Sequence, residues 1–212
     1  LGQLRNLGFA LFVTVSAVNA QTVTIAALGD SLTAGYGLAR SDGFVPQLQA
    51  WLAAQGADVK VKNAGVSGDT TAGGRARVAW TLTNDVDAMI VTLGGNDYLR
   101  GLDPAVSRAN LDSILAAGQQ AGVRMLLIGI VAGSNYGAQY KQQFDGMYVD
   151  LAAKYDVPLY QDFFGGLRSV IDTQNPLATF MQADGIHPNK QGVTAIVDGI
   201  GPFVLKLAQP AE

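Results

Sequence analysis

The sequence predicts an α/β protein, a three-layer α/β/α sandwich around a five-stranded parallel sheet. Three observations lead there. Strand-like and helix-like runs alternate along the chain, as in repeated βα units. The strand-like runs are nearly continuous in apolar residues, the pattern of strands covered by helices on both faces. Finally, 26 Gly, 49% apolar residues and only 15% charged residues suit a buried sheet with many tight turns. The length of 212 residues fits one ordinary domain, and residues 21–212 contain no repeat, low-complexity stretch or linker that divides them.

Each element has its own signal. Val23–Leu28 is β-branched and apolar, a first buried strand. Phe44, Leu48, Trp51 and Leu52 recur at helical spacing within Phe44–Gln55. Val59–Lys62 is the second strand, and Ala72–Leu82 reads as a helix despite its Gly pair. Ala88–Leu93 is the third strand. Pro104 opens a long helix to about Ala121, because proline suits a first helical turn, and Gly122 ends it. Arg124–Ile130 is the fourth strand, followed by a helix over Gln139–Tyr155 and a fifth strand at Val157–Tyr160. After an irregular stretch, a last helix spans about Lys190 to Leu207. In such folds the chemistry gathers at the carboxyl ends of the strands, around a topological switch point.

The amino-terminal residues read as an address. Arg5 precedes an apolar run from Leu7 to Val18, and Val18-Asn19-Ala20 places small or modest side chains around a cleavage point. Residues 1–20 are therefore expected to be a signal peptide cleaved after Ala20, with the mature chain periplasmic or secreted. An uncleaved anchor and an ordinary surface helix are the alternatives. The run is short for a span of roughly 20 residues, so no stable membrane span is expected in the mature chain.

Composition excludes much chemistry. The chain has one His, no Cys, sixteen Asp and a single Glu, Glu212. Thiol nucleophiles, disulfides and metal sites built from several His or Cys ligands are ruled out, and no metal or organic cofactor is expected. Two Asp residues still permit a glycosidase pair or an oxygen-ligand metal site. The net charge of -3 argues against nucleic acid, which needs a basic face. Any imidazole chemistry falls to His187.

Three strand-like runs end in distinctive sequences: Gly29-Asp30-Ser31-Leu32-Thr33-Ala34-Gly35-Tyr36-Gly37, then Asn63-Ala64-Gly65-Val66-Ser67-Gly68-Asp69-Thr70, then Gly94-Gly95-Asn96-Asp97. A fourth block, Asp184-Gly185-Ile186-His187-Pro188-Asn189, precedes the last helix. A hydroxyl such as that of Ser31 is a weak nucleophile until a base accepts its proton, and His187 is the one imidazole available. Asp184, three residues earlier, can return to Nδ1 of His187 and fix its tautomer. The N–H groups of Ser31 and Gly68 and the amide of Asn96 can receive an oxyanion. Taken singly, Ser31 is as readily a helix N-cap, and Asn96 and Asp97 are ordinary turn residues. Asp30 and Asp69 read as hydrogen-bonding supports for their turns. The Gly-rich stretch Gly65–Gly74 lacks the Gly-Lys-Ser/Thr ending of a P-loop, and Ser31 does not lie in Gly-x-Ser-x-Gly.

Together, the four blocks in this order resemble the SGNH-hydrolase (GDSL) superfamily over nearly all of residues 22–208. The resemblance matches Ser31, Gly68, Asn96 and His187 to the four residues that name the family, with Asp184 as the orienting acid. The blocks are most similar to the bacterial arylesterase, thioesterase I and lysophospholipase subfamily, as are Asn135-Tyr136-Gly137 and Met181-Gln182. It implies a flavodoxin-like sheet and hydrolysis of small-molecule acyl esters and thioesters through an acyl-enzyme. In relatives the loop after Gly-Gly-Asn-Asp moves over the acyl chain, which points to Tyr98–Pro104 here. Tyr98, Leu99, Leu102, Tyr136 and Ile186 are the expected substrate contacts. One departure is Ala132-Gly133-Ser134, where relatives usually carry proline before Asn-Tyr-Gly. A carbohydrate O-acetyl esterase is the neighbouring alternative, and a non-catalytic envelope binding domain the alternative of another class.

Overall fold

The computed structural model describes residues 22–209; the expected leader, residues 1–20, lies outside the described residues. Five strands, β1 (Val23–Gly29), β2 (Val59–Gly65), β3 (Ala88–Thr92), β4 (Arg124–Ile128) and β5 (Leu159–Tyr160), pair in parallel in the order β2-β1-β3-β4-β5. Eight α-helices accompany them among the described residues: α1 (Ser31–Ala34), α2 (Phe44–Ala54), α3 (Thr71–Thr81), α4 (Gly95–Leu99), α5 (Pro104–Gln120), α6 (Ala138–Tyr155), α7 (Gly165–Arg168) and α8 (Lys190–Ala208). α2 and α8 pack together on one face, with α7 against α8, while α3, α5 and α6 are neighbours on the other. This is the expected three-layer sandwich, with the flavodoxin-like strand order.

The apolar pattern accounts for the layers. Ile25 and Leu28 of β1, Ile90 and Val91 of β3 and Leu126 and Leu127 of β4 are at most 1% exposed, so the central strands are enclosed on both faces. Phe44, Leu48 and Leu52 repeat every four residues on α2, as do Ile196, Ile200 and Val204 on α8, and all six are buried. Burying each such side chain is worth about 1.5–3 kcal/mol against leaving it in water. Helix starts are set by side-chain caps: Thr70 accepts from Gly73 N, Asp103 from Ala105 N before Pro104, and Asn189 from Gln191 N and Gly192 N.

Differences from the sequence reading have local causes. β2 continues to Gly65 because its register with β1 holds to the last pair, Gly29 with Gly65. β4 stops at Ile128, two residues early. Gly129 still donates to Tyr160 O at 2.8 Å and its carbonyl accepts from Phe163 N, but the chain then leaves the sheet. α1, α4 and α7 are four or five residues long, too short for a helical period to show.

The connections place the site. From β1 the chain goes to β2 on one side and then returns to β3 on the other, so the strand order reverses between β1 and β3. A crevice opens above the carboxyl ends of strands at such a reversal. Ser31 follows β1, Gly68 follows β2 and Asn96 follows β3.

Candidate active site

Ser31 is the first residue of α1, immediately beyond the β1 edge. Asp30 is the N-cap, accepting from Leu32 N at 3.0 Å, which turns the chain sharply and aims the Ser31 hydroxyl away from the sheet. The carbonyl of Ser31 accepts from Gly35 N and Tyr36 N, closing the one-turn helix.

Opposite stands His187. Its Nε2 lies 2.8 Å from Ser31 Oγ, and its Nδ1 lies 2.6 Å from Asp184 Oδ2. The segment that makes this possible is a tight turn: Asp184 Oδ1 accepts from the N–H groups of Ile186 at 2.9 Å and His187 at 3.0 Å, around Gly185 at φ +67. The His187 N–H, then its ring, then the Ile186 N–H hold the Asp184 carboxyl down at about 2, so it stays ionised across ordinary pH. An ionised acceptor on Nδ1 selects the tautomer whose Nε2 is free to accept from Ser31. Gln182 braces the turn, donating from Nε2 to Tyr36 O at 2.8 Å and Pro188 O at 3.0 Å. The Tyr36 ring rests against the imidazole with centroids 4.7 Å apart.

The donor side is equally ordered. Gly68 sits at φ +86, a conformation that disfavours any side chain, and its N–H makes no hydrogen bond within the described residues. Asn96 Nδ2 donates to Asp69 O at 2.9 Å and lies 3.4 Å from Asp30 Oδ2. The second contact is long, so that amide hydrogen is the one a substrate oxygen can capture. Arg77 locks the surrounding turns: it donates to Asp69 Oδ2 at 2.6 Å, Ala64 O at 2.7 Å and Gly29 O at 2.7 Å. Asp69 and Asp30 are thus supports for their turns, as the sequence implied. Asp30 carries a cost, because burial pushes its carboxyl up to about 6. Asp97 is buried, accepting from Thr71 N, Thr71 Oγ1 and Ser107 Oγ, and anchors α4 to α3 and α5.

Ser31 and His187 open into a cleft of about 410 Å³, whose apolar walls include Leu32, Tyr98, Leu99, Ile130, Phe164 and Ile186. Gly68 and Asn96 line the same cleft. Of the expected substrate contacts, Tyr98, Leu99 and Ile186 reach it, whereas Leu102 and Tyr136 do not line it. Leu102 is tied by its N–H to Asp97 O, and Tyr136 packs edge-on against the outer side of Tyr98, with ring centroids 5.9 Å apart. The sequence reading missed Tyr36, Ile130 and Phe164 on the wall, and Arg77 behind it. Ala132, where relatives usually carry proline nearby, is held by Asp145 through its N–H and by Lys141 through its carbonyl. A second hollow of about 520 Å³ lies behind α1 among Leu38, Arg40, Gln49 and Asn63, away from the Ser31–His187 pair. Among the described residues no three His, Asp or Glu side chains gather as a metal site.

A serine–imidazole–carboxylate relay at the switch point of a five-stranded parallel sheet defines the class: an α/β serine hydrolase. The chain belongs to the GDSL-like Lipase/Acylhydrolase family, whose model matches residues 27–195. It is 38% identical to "Esterase TesA" of Pseudomonas aeruginosa, over 93% of this chain and 94% of that protein. It is 35% identical to "Thioesterase 1/protease 1/lysophospholipase L1" of Escherichia coli K12, over 95% and 90%. Among solved structures, "AlinE4, a SGNH-hydrolase family esterase" superposes with a TM-score of 0.70 at 41% identity, covering 90% of this chain and 98% of that one.

Proposed function

We propose that the protein hydrolyses acyl esters and thioesters, with Ser31, His187 and Asp184 as its catalytic residues. The observation that carries this is the continuous relay from Asp184 through His187 to Ser31, at 2.6 and 2.8 Å, opening into a cleft with apolar walls. Ser31 Oγ attacks the substrate carbonyl while His187 Nε2 takes its proton. The N–H groups of Ser31 and Gly68 and the Asn96 amide hold the oxyanion. His187 then gives the proton to the departing alcohol or thiol, leaving an acyl-enzyme on Ser31. Water, deprotonated by His187, attacks the acyl carbonyl, and His187 returns that proton to Ser31 Oγ as the acid leaves. Ser31 and His187 relay the protons, and one water is consumed per turnover.

The acyl chain lies along Tyr98, Ile130 and Phe164. Residues 21–212 act as one exported domain, released by cleavage after Ala20, and no described helix is long and apolar enough to cross a membrane. A panel of aryl esters from acetyl to palmitoyl, with acyl-CoA and lysophospholipid alongside, tests the reading. Turnover of aryl and acyl-CoA substrates supports it; a strong preference for acetylated sugars shifts it to a carbohydrate O-acetyl esterase; no turnover of any of them contradicts it. Amino-terminal sequencing of exported protein checks the leader: a start at Gln21 is expected, and a start at Leu1 contradicts it.

A further inference from the structure

The two ends of the cleft differ in chemistry. On the β4 side its wall is Ile130, Val131 and Phe164, all apolar. On the β2 side it is Ser67 and Gly68. Arg100, the residue that caps the carboxyl end of α4, does not line the cleft itself but is bonded to Gly68. Arg100 Nη2 donates to Gly68 O at 2.9 Å, so the guanidinium is seated beside the expected oxyanion donor. Arg100 is exposed and forms no ion pair among the described residues, a state it shares with Arg40, Arg75 and Arg124, whereas Arg77, Arg108 and Arg168 are each paired with an aspartate. One Nη hydrogen satisfies Gly68, which leaves the other donors of a planar fork with no acceptor among the described residues. Such a fork suits two oxygens of a phosphate, sulfonate or carboxylate.

We propose that Arg100 is a specificity-determining residue that selects substrates whose leaving group carries an anionic oxyacid. This rests on the esterase reading above and deepens it. Ser31 and Asn96 lie over the central strands, so a substrate carbonyl between them has the β4 side on one hand and the β2 side on the other. An acyl chain turned toward Ile130 and Phe164 sends the leaving group toward Gly68 and Arg100. The net charge of -3 gives the whole molecule no attraction for an anion, so a cation at the mouth supplies it locally.

The test compares two butanoyl esters that differ in charge at one group: that of para-hydroxybenzenesulfonate, which is anionic, and that of para-hydroxybenzenesulfonamide, which is neutral at pH 7.5. Values of kcat/KM are measured for wild type, Arg100→Gln and Arg100→Lys at low and high salt. Dividing the anionic by the neutral value within each protein cancels any general damage to the Gly68 turn. That ratio should fall about tenfold in Arg100→Gln and recover in part in Arg100→Lys. In wild type it should decline with added salt, and in Arg100→Gln it should not. An unchanged ratio in Arg100→Gln overturns the role of Arg100 while leaving the esterase reading intact. Failure of wild type to hydrolyse either ester overturns the esterase reading itself. If Arg100→Gln does not fold, the wild-type salt response and the Arg100→Lys ratio decide, and a salt-independent wild-type ratio counts against the proposal.

Discussion

Asp30 links the site to the stability of the fold, and Asp30→Asn isolates that link. The side chain is 2% exposed, and burial raises its carboxyl from 3.8 to about 6, against the opposing pull of the Leu32 N–H and of His187. The folded protein therefore holds this proton more tightly than the unfolded chain does. Below about pH 4 both states are protonated and burial carries no ionic penalty. Between about pH 4 and 6 the unfolded chain ionises first, so stability falls as pH rises, and above about 6 the penalty is complete. At about 1.4 kcal/mol for each pH unit separating the two values, the full penalty is roughly 3 kcal/mol. An asparagine keeps an oxygen for the Leu32 N–H and removes the charge. Urea denaturation of both proteins at pH 4.5 and pH 8 measures the effect. The stability of the variant relative to wild type should shift in its favour by about 2 kcal/mol between the two pH values, since about a third of the penalty is already present at pH 4.5. Any fixed cost from the altered contact with Asn96 is the same at both and cancels, as does the titration of Asp184. A difference that stays constant with pH, or moves against the variant, refutes the assignment of a buried, reluctant carboxylate.

Other substitutions probe the site directly. Asn96→Ala should lower kcat on an aryl ester by roughly 10²–10³-fold, the scale of one oxyanion donor, with KM changing far less. A rise in KM with kcat unchanged would remove Asn96 from that role. Asp184→Asn should cost on the order of 10³–10⁴ in kcat, because the amide no longer selects the tautomer with Nε2 free to accept; near-normal turnover would exclude Asp184 as the orienting acid. Gly65→Ala would bring a Cβ to 2.4 Å from Ala34 N and 2.8 Å from Thr33 C, backbone atoms that cannot swing aside. It should destabilise the protein by about 1–3 kcal/mol and depress kcat through displacement of α1, so an unshifted unfolding midpoint would contradict the close packing of β2 on α1.

Legibility in the sequence followed the physics of each part. The central strands announced themselves because burial on both faces demands unbroken apolar runs such as Met89-Ile90-Val91. Long helices were readable from Phe44, Leu48 and Leu52, and from Pro104 at a first turn. The structure brings Ser31, Gly68, Asn96 and His187 to one cleft with Asp184 behind His187, and the sequence points to them because their blocks stand at strand ends or in a distinctive turn and His187 is the single imidazole. Arg77 was not legible. Its three acceptors are Asp69 and two main-chain carbonyls from different strands, a convergence that only the folded register creates. Ile130 falls at the end of the expected fourth strand and Phe164 in the irregular stretch after the fifth, and an apolar side chain lining a cleft carries no local signal that separates it from one in the interior. Leu102 and Tyr136 were assigned to the cleft from their loops alone. The structure turns Leu102 back onto Asp97 through its N–H and sets Tyr136 edge-on against Tyr98, off the cleft lining.

The central claim is that Ser31 is the nucleophile of an ester hydrolase, activated by His187. Its most direct test is turnover of an aryl butyrate by purified Ser31→Ala, run beside a urea unfolding curve of the same sample. Removing Oγ leaves the Asp30 cap on Leu32 N in place, so the unfolding midpoint should stay close to that of wild type. Turnover should drop at least a thousandfold, to what the oxyanion donors and binding alone provide. Full ester hydrolysis by a folded Ser31→Ala protein would contradict the account.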